Sequence, residues 1–159
     1  MSVPRTTRRL IDRFRSSEGA NLIEAALILP IMLLTMFGLM EFALILYIQM
    51  ALQNGVSQAA RYGITRQTMS ELSREQSIIT ILKQETPSLT LANDHISFQN
   101  KPLSGGSWTS GTGGGNTLER VTVTYDYHIM TPVLLPFFSG ETITLTAQAT
   151  MKNESEPGS

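Results

Sequence analysis

Cysteine is absent from this chain of 159 residues. That excludes disulfides, Cys-ligated metals and thiol nucleophiles, and an exported domain must stand on its core alone. Neither sign of charge prevails. The formal net charge is -1, which gives no case for bulk nucleic-acid binding. Histidine is scarce: His95 and His128 are far apart and lack companion ligands, so no metal site is expected. Asp126 and His128 lie two apart on an expected strand, which reads as a solvated face and not as an acid–base pair. The Gly-rich "SGGSWTSGTGGGN" lacks the Gly-Lys-Ser/Thr ending and the following helix of a phosphate loop. It is expected to be a flexible loop, with Trp108 partly tucked. No serine stands in a nucleophile motif, so neither an enzymatic activity nor a cofactor is expected.

Charge is also missing locally, and this is the strongest feature of the sequence. Residues 1–19 hold Arg5, Arg8, Arg9, Arg13 and Arg15 against Asp12 and Glu18. From 20 to 50 the only charges are Glu24 and Glu41. Between them runs "AALILPIMLLTMFGLM", and beyond Glu41 the apolar run resumes as "FALILYIQM". A spanning helix needs about 20 apolar residues, which this stretch supplies. It is apolar all round, and the remaining chain is too small to wrap it. The arginines before the span place the N-terminus in the cytoplasm and the C-terminal domain outside. The run is longer than a secretory h-region of about 7–15 residues and ends in no small-x-small cleavage site, so it is expected to stay in the mature protein. Pro30 predicts a kink or a locally broken hydrogen bond.

A carboxylate inside such a segment costs about 2.5–3.5 kcal/mol on insertion scales. Glu24 near the start of the span either snorkels to the inner headgroups or has a partner. Glu41 lies about 25 Å further along the helix, on a different face, and cannot share that partner. Two readings stand for Glu41: a carboxylate near the outer leaflet that reaches water, or a helix–helix contact inside an assembly.

A basic leader, then Gly19, then an apolar helix with Glu24 five places later resembles a type IV prepilin peptidase site. The stretch from Gly19 to Gly63, with Glu24, Pro30, "GLMEF" and "ALQNGVSQAARYG", resembles the N-terminal half of TadE-like pseudopilins of the Tad (tight adherence) pilus and secretion systems. The ending "VTVTYDYHIMTPVLLPFFSGETITLTAQATMKNE" is also similar to that family, whereas residues 65–117 carry little of the likeness. The resemblance implies a cut after Gly19, a discarded leader over 1–19, and a mature chain starting at Ala20. The new Ala20 ammonium would then find the Glu24 carboxylate one turn away, or that of a neighbouring subunit. The resemblance implies pairing between subunits, which sets axial register. The implied partners are prepilin peptidase, other pilin-like subunits, inner-membrane Tad assembly proteins and inner-membrane lipid. Pilins of the ordinary type IV branch usually begin with Phe, and the small Ala20 departs from that pattern.

Further along, Ala51, Gly55, Ala59 and Gly63 recur every four residues and make one smooth helical ridge. It is expected to pack on the chain's own domain, with packing between subunits as the alternative. The long helix is expected to end after Gly63. Thr68 and Glu71 have the spacing of a capping box, opening a short amphipathic helix that stops before Pro87. "HISFQN" is a short candidate strand. Val121, Val123, Tyr125, Tyr127 and Ile129 alternate on one face, as do Ile143, Leu145, Ala147, Ala149 and Met151, with threonines opposite. The apolar "TPVLLPFFSG" joining them is expected to tuck under the sheet, with a patch exposed to a partner or to the membrane surface as the alternative.

The expected fold class is α+β. A leader (1–19) precedes a long helix (20–64) that crosses the membrane over about residues 25–48. A periplasmic domain (65–154) with a short helix and an antiparallel sheet follows, and then a tail (155–159). The expected role is a minor pilin-like subunit of a Tad-type type IVb pilus. An uncleaved, single-pass anchored periplasmic binding or scaffold protein is the rival.

Overall fold

The computed structural model describes residues 17–65, 69 and 71–154. Residues 1–16 of the leader and the whole tail (155–159) lie outside them. One helix dominates: α1, Ser17–Ile64, 48 residues long and so about 72 Å at 1.5 Å per residue. It runs unbroken through Pro30. Its length follows from composition. Leu, Ile, Met and Ala fill its first two-thirds, and the small or long unbranched residues of "ALQNGVSQAARYG" continue it.

A shorter helix, α2, covers Arg74–Glu85. Its start corrects the expected cap. Ser73, not Thr68, forms the capping box: its hydroxyl accepts from the Gln76 amide, and the Gln76 side chain accepts from the Ser73 amide. Glu71 stands outside the helix with a positive φ of 66°, and Thr68 lies outside the described residues. Ser77, Ile78 and Leu82 form the buried face of α2.

Four strands make one antiparallel sheet: β1 (Ile96–Pro102), β2 (Thr109–Ser110), β3 (Thr117–His128) and β4 (Thr142–Lys152), in the order β2-β1-β3-β4. The fold is thus α+β. Period two works as expected on the long pair. Val121, Val123 and Tyr127 on β3, with Leu145 and Ala147 on β4, enter the core, and Tyr125 pairs directly with Leu145. Ile129 lies beyond the end of β3.

The Gly-rich segment is more ordered than its composition suggests. It contains β2, which pairs with β1 through Gln99 and Asn100. The Asn100 amide donates to the Gly111 carbonyl at 3.0 Å, and the Thr109 hydroxyl donates back to the Asn100 side chain at 3.1 Å. Gly113 is required there: its φ is +66°, and a Cβ would stand 2.7 Å from the Asn100 Cβ. Trp108 is half-buried, with the Arg120 guanidinium 3.8 Å above its ring.

The outer part of α1 lies on β3, β4 and α2. Leu52, Val56, Ala59 and Ala60 meet Ile78, Leu82, Val121 and Val123 in one core. Gln49 and Gln53 set the register: their amides donate to the main-chain carbonyls of Thr146 and Gln148 at 2.9 and 3.2 Å. Four helical residues advance about 6 Å and two strand residues about 6.8 Å, so the two spacings match when α1 runs alongside β4 in the same direction. These bonds also occupy carbonyls of an edge strand that would otherwise invite another chain.

A polar latch closes the far end. Arg74 opens α2, where the helix dipole disfavours a cation. Its guanidinium instead reaches the last turn of α1 and donates to the Gly63 carbonyl at 2.7 Å. It also donates to Gly113 O at 2.9 Å and Asn153 Oδ1 at 2.8 Å, and it pairs with the buried Glu119 carboxylate. The latch therefore joins α1, α2, β3, the Gly-rich segment and the end of β4. Arg74→Met should destabilise the outer domain by about 3–5 kcal/mol, the usual loss when one partner of a buried ion pair is removed. Urea unfolding followed by Trp108 fluorescence measures this, and a loss below about 1 kcal/mol would contradict the latch.

Candidate functional site

The site is α1 itself and its junction with the outer domain. From Gly19 to Met40 no residue of α1 is buried, although the sequence there is almost wholly apolar. Leu22, Leu27, Ile31 and Leu39 are among its exposed side chains. This surface calls for a covering other than water. α1 is long and apolar enough to cross a bilayer, as a single-pass membrane protein requires.

Gly19 and Ala20 lie near the start of α1, past Ser17, with Gly19 half-buried and Ala20 exposed. Here main-chain N–H groups lack intrahelical acceptors. Glu24 is exposed, one turn beyond Ala20. The structure does not bring Glu24 and Glu41 together.

Counting from Gly19, Glu41 is the first buried residue of α1, at 2% exposure. It neither reaches water nor stands free for a neighbour's helix, because the chain's own domain encloses it. Its Oε1 accepts from the Tyr127 hydroxyl at 2.6 Å and the Met130 amide at 2.9 Å, and its Oε2 accepts from the Thr131 hydroxyl at 2.7 Å. Three donors from the end of β3 and the segment after it thus converge on one helical carboxylate. Such charge-assisted bonds are short and about twice as strong as neutral ones. Burial, reinforced by the Glu41 carboxylate, pushes the Tyr127 phenol up to about 12, so Tyr127 remains a donor at neutral pH. Sequence reasoning missed Tyr127 and Thr131. The available signal was a phenol on a core-facing strand position, whose hydroxyl needs a partner when buried.

The segment after β3 also differs from expectation. It forms a 3-10 helix, Pro132–Phe137, of which only Leu134 is buried. Val133, Phe137 and Phe138 stay exposed instead of tucking under the sheet, since the space beneath β3 and β4 is already filled by α1. Leu134, Phe137 and Phe138 face Gly38, Phe42 and Ile45 of α1 across an open apolar cleft of about 280 Å³.

The small ridge lies against α2. A Cβ on Gly55 would stand 2.5 Å from Thr86 Cγ2, and one on Gly63 would stand 3.0 Å from Ile78 Cδ1. Ala59 is fully buried, while Ala51 is half-buried. Asp126 and His128 engage cross-strand threonines: Thr144 donates to Asp126 at 2.7 Å, and Thr142 lies 3.2 Å from His128 Nδ1. No group of three or more His, Asp or Glu gathers into a metal-binding cluster among the described residues.

A long apolar helix joined by a buried carboxylate to a small α+β head is the architecture of a single-pass membrane protein with a lollipop shape. Residues 19–61, most of α1, match the family model described as TadE-like protein. The match supports a TadE-like protein and implies an association with the Tad pilus. No curated protein and no solved structure matches the chain.

The clamp on Glu41 yields a graded expectation. Glu41→Leu leaves three donors without an acceptor and should cost on the order of 3 kcal/mol, whereas Glu41→Gln keeps one acceptor oxygen and should cost less. Amide exchange at Met130 should accelerate in the same order; unchanged exchange in Glu41→Leu would contradict the clamp. The phenol adds a pH signature. A folded value raised above the ordinary 10.0 stabilises below that value and is lost as pH rises towards about 12. Stability should therefore fall over that alkaline window in the parent and fall less in Tyr127→Phe, as urea titrations at stepped pH would show.

Proposed function

We propose that the chain is a minor pilin-like subunit of a Tad-type type IVb pilus, made as a precursor and cut by prepilin peptidase after Gly19. The observation that carries this reading is an overlap: the family match over residues 19–61 takes in the whole stretch from Gly19 to Met40 over which α1 runs uncovered. A helix with a bare apolar surface suits storage in a bilayer followed by transfer to the company of like helices, because both environments cover it. The leader arginines favour a cytoplasmic N-terminus and a periplasmic domain in the inner membrane. The protein is a substrate of the peptidase and a structural part, not an enzyme.

Cleavage would create an ammonium at Ala20. In hydrocarbon that charge is as costly as the Glu24 carboxylate, and pairing them offsets both penalties. When the Glu24 of one subunit meets the Ala20 of the next, the pair fixes axial register. The partners in this reading are other pilin-like subunits and the inner-membrane Tad assembly proteins.

Glu24→Gln retains volume and helix propensity and removes the anion. Membrane insertion should persist, since loss of a charge only eases burial. Cross-linking to pilin-like partners and piliation should both fall sharply at parental protein level. Undiminished cross-linking would leave Glu24 with a snorkelling role and overturn the pairing.

A further inference from the structure

We propose that residues 130–138 form an interfacial foot that rests in the outer headgroup zone of the bilayer that α1 spans, with lipid as its occupant. The proposal rests on reading α1 as a membrane span. Four large apolar side chains of this segment are bare: Met130 at 71%, Val133 at 52%, Phe137 at 70% and Phe138 at 40% exposure. Outside α1, the only other large hydrophobics so exposed among the described residues are Leu72 and Leu103. No residue between His128 and Glu141 carries a charge.

The segment's level along α1 is fixed. The Met130 amide and Thr131 hydroxyl bond to Glu41, and Leu134, Phe137 and Phe138 face Gly38, Phe42 and Ile45. From Ala20 to Met40 the helix rises about 30 Å, the thickness of the hydrocarbon core, which puts the span over about residues 20–40 here in place of the expected 25–48. The foot thus stands where α1 leaves that core. Its apolar surface is continuous with the uncovered surface of α1, because α1 supplies the other wall of the cleft. Aromatic side chains suit this depth.

The backbone is also prepared for an environment poor in water. Pro132 and Pro136 have no N–H to satisfy. The amides of Ile129, Met130, Leu134 and Phe138 donate to Glu141 O, Glu41 Oε1, Thr131 O and Leu135 O. Non-helical chain is tolerated near lipid when its polar groups are met within the protein.

The absence of cysteine makes a single-label test clean. The full chain would be reconstituted in phosphatidylcholine–phosphatidylglycerol vesicles with one nitroxide, at Phe137→Cys or Val133→Cys. Leu29→Cys in the span and Ser104→Cys at the distal end of the sheet are the references. Labels at Phe137 and Val133 should collide with oxygen more than with an aqueous nickel chelate, as at Leu29, and Ser104 should show the reverse. If Phe137 and Val133 behave like Ser104 while Leu29 is in lipid, the foot is overturned and the span stands. If Leu29 is also accessible to nickel, both fall. If shielding at Phe137 disappears as protein is diluted into more lipid, the cover is a second protein and the proposal is wrong.

Discussion

An ionised carboxylate in an apolar helix must be met by donors, and Glu41 organises the molecule around that need. From Gly19 to Met40 no side chain of α1 is buried; from Ile48 onward α1 contributes to a packed core. The changeover between the two environments is the point where Tyr127, Met130 and Thr131 converge on one side chain. A purely apolar contact there would be free to slide along a uniformly apolar helix. Three directed bonds to one residue are not.

The same logic recurs at the other end of the head. Arg74 gathers carbonyl oxygens and one carboxylate from four segments outside its own helix, and the C-terminal end of α1 is one of them. Between the two polar ties lie an apolar core and the glutamine bonds to β4. Axial force on α1 would therefore reach the head through directed bonds at both ends of their interface, without relying on side-chain packing alone. That property suits a subunit whose helix is held in an assembly while its head faces outward.

Much of this was legible in sequence where the signal is local. The bare apolar run announced α1, and alternation at Val121, Val123, Leu145 and Ala147 announced the two long strands and their core faces. What was hidden depends on distant partners. Nothing near Glu41 indicates Tyr127 or Thr131, which lie 86 and 90 residues away. Strand β2 has two residues and no alternation to read; side-chain bonds from Asn100 hold it. Ser73 and Gln76 have the same capping-box spacing as Thr68 and Glu71, so spacing alone did not pick the start of α2. The apolarity of 131–140 pointed inward because composition cannot show that α1 already occupies the underside of the sheet.

The head–helix junction explains how α1 and the domain are joined; the role proposed for the uncovered part of α1 depends on the proposed cut after Gly19. The most direct measurement is the N-terminal sequence of the protein recovered from membranes, with and without an active prepilin peptidase. The account predicts a chain beginning at Ala20 when the peptidase is present and an uncut leader when it is absent. A leader retained in the presence of active peptidase would contradict it.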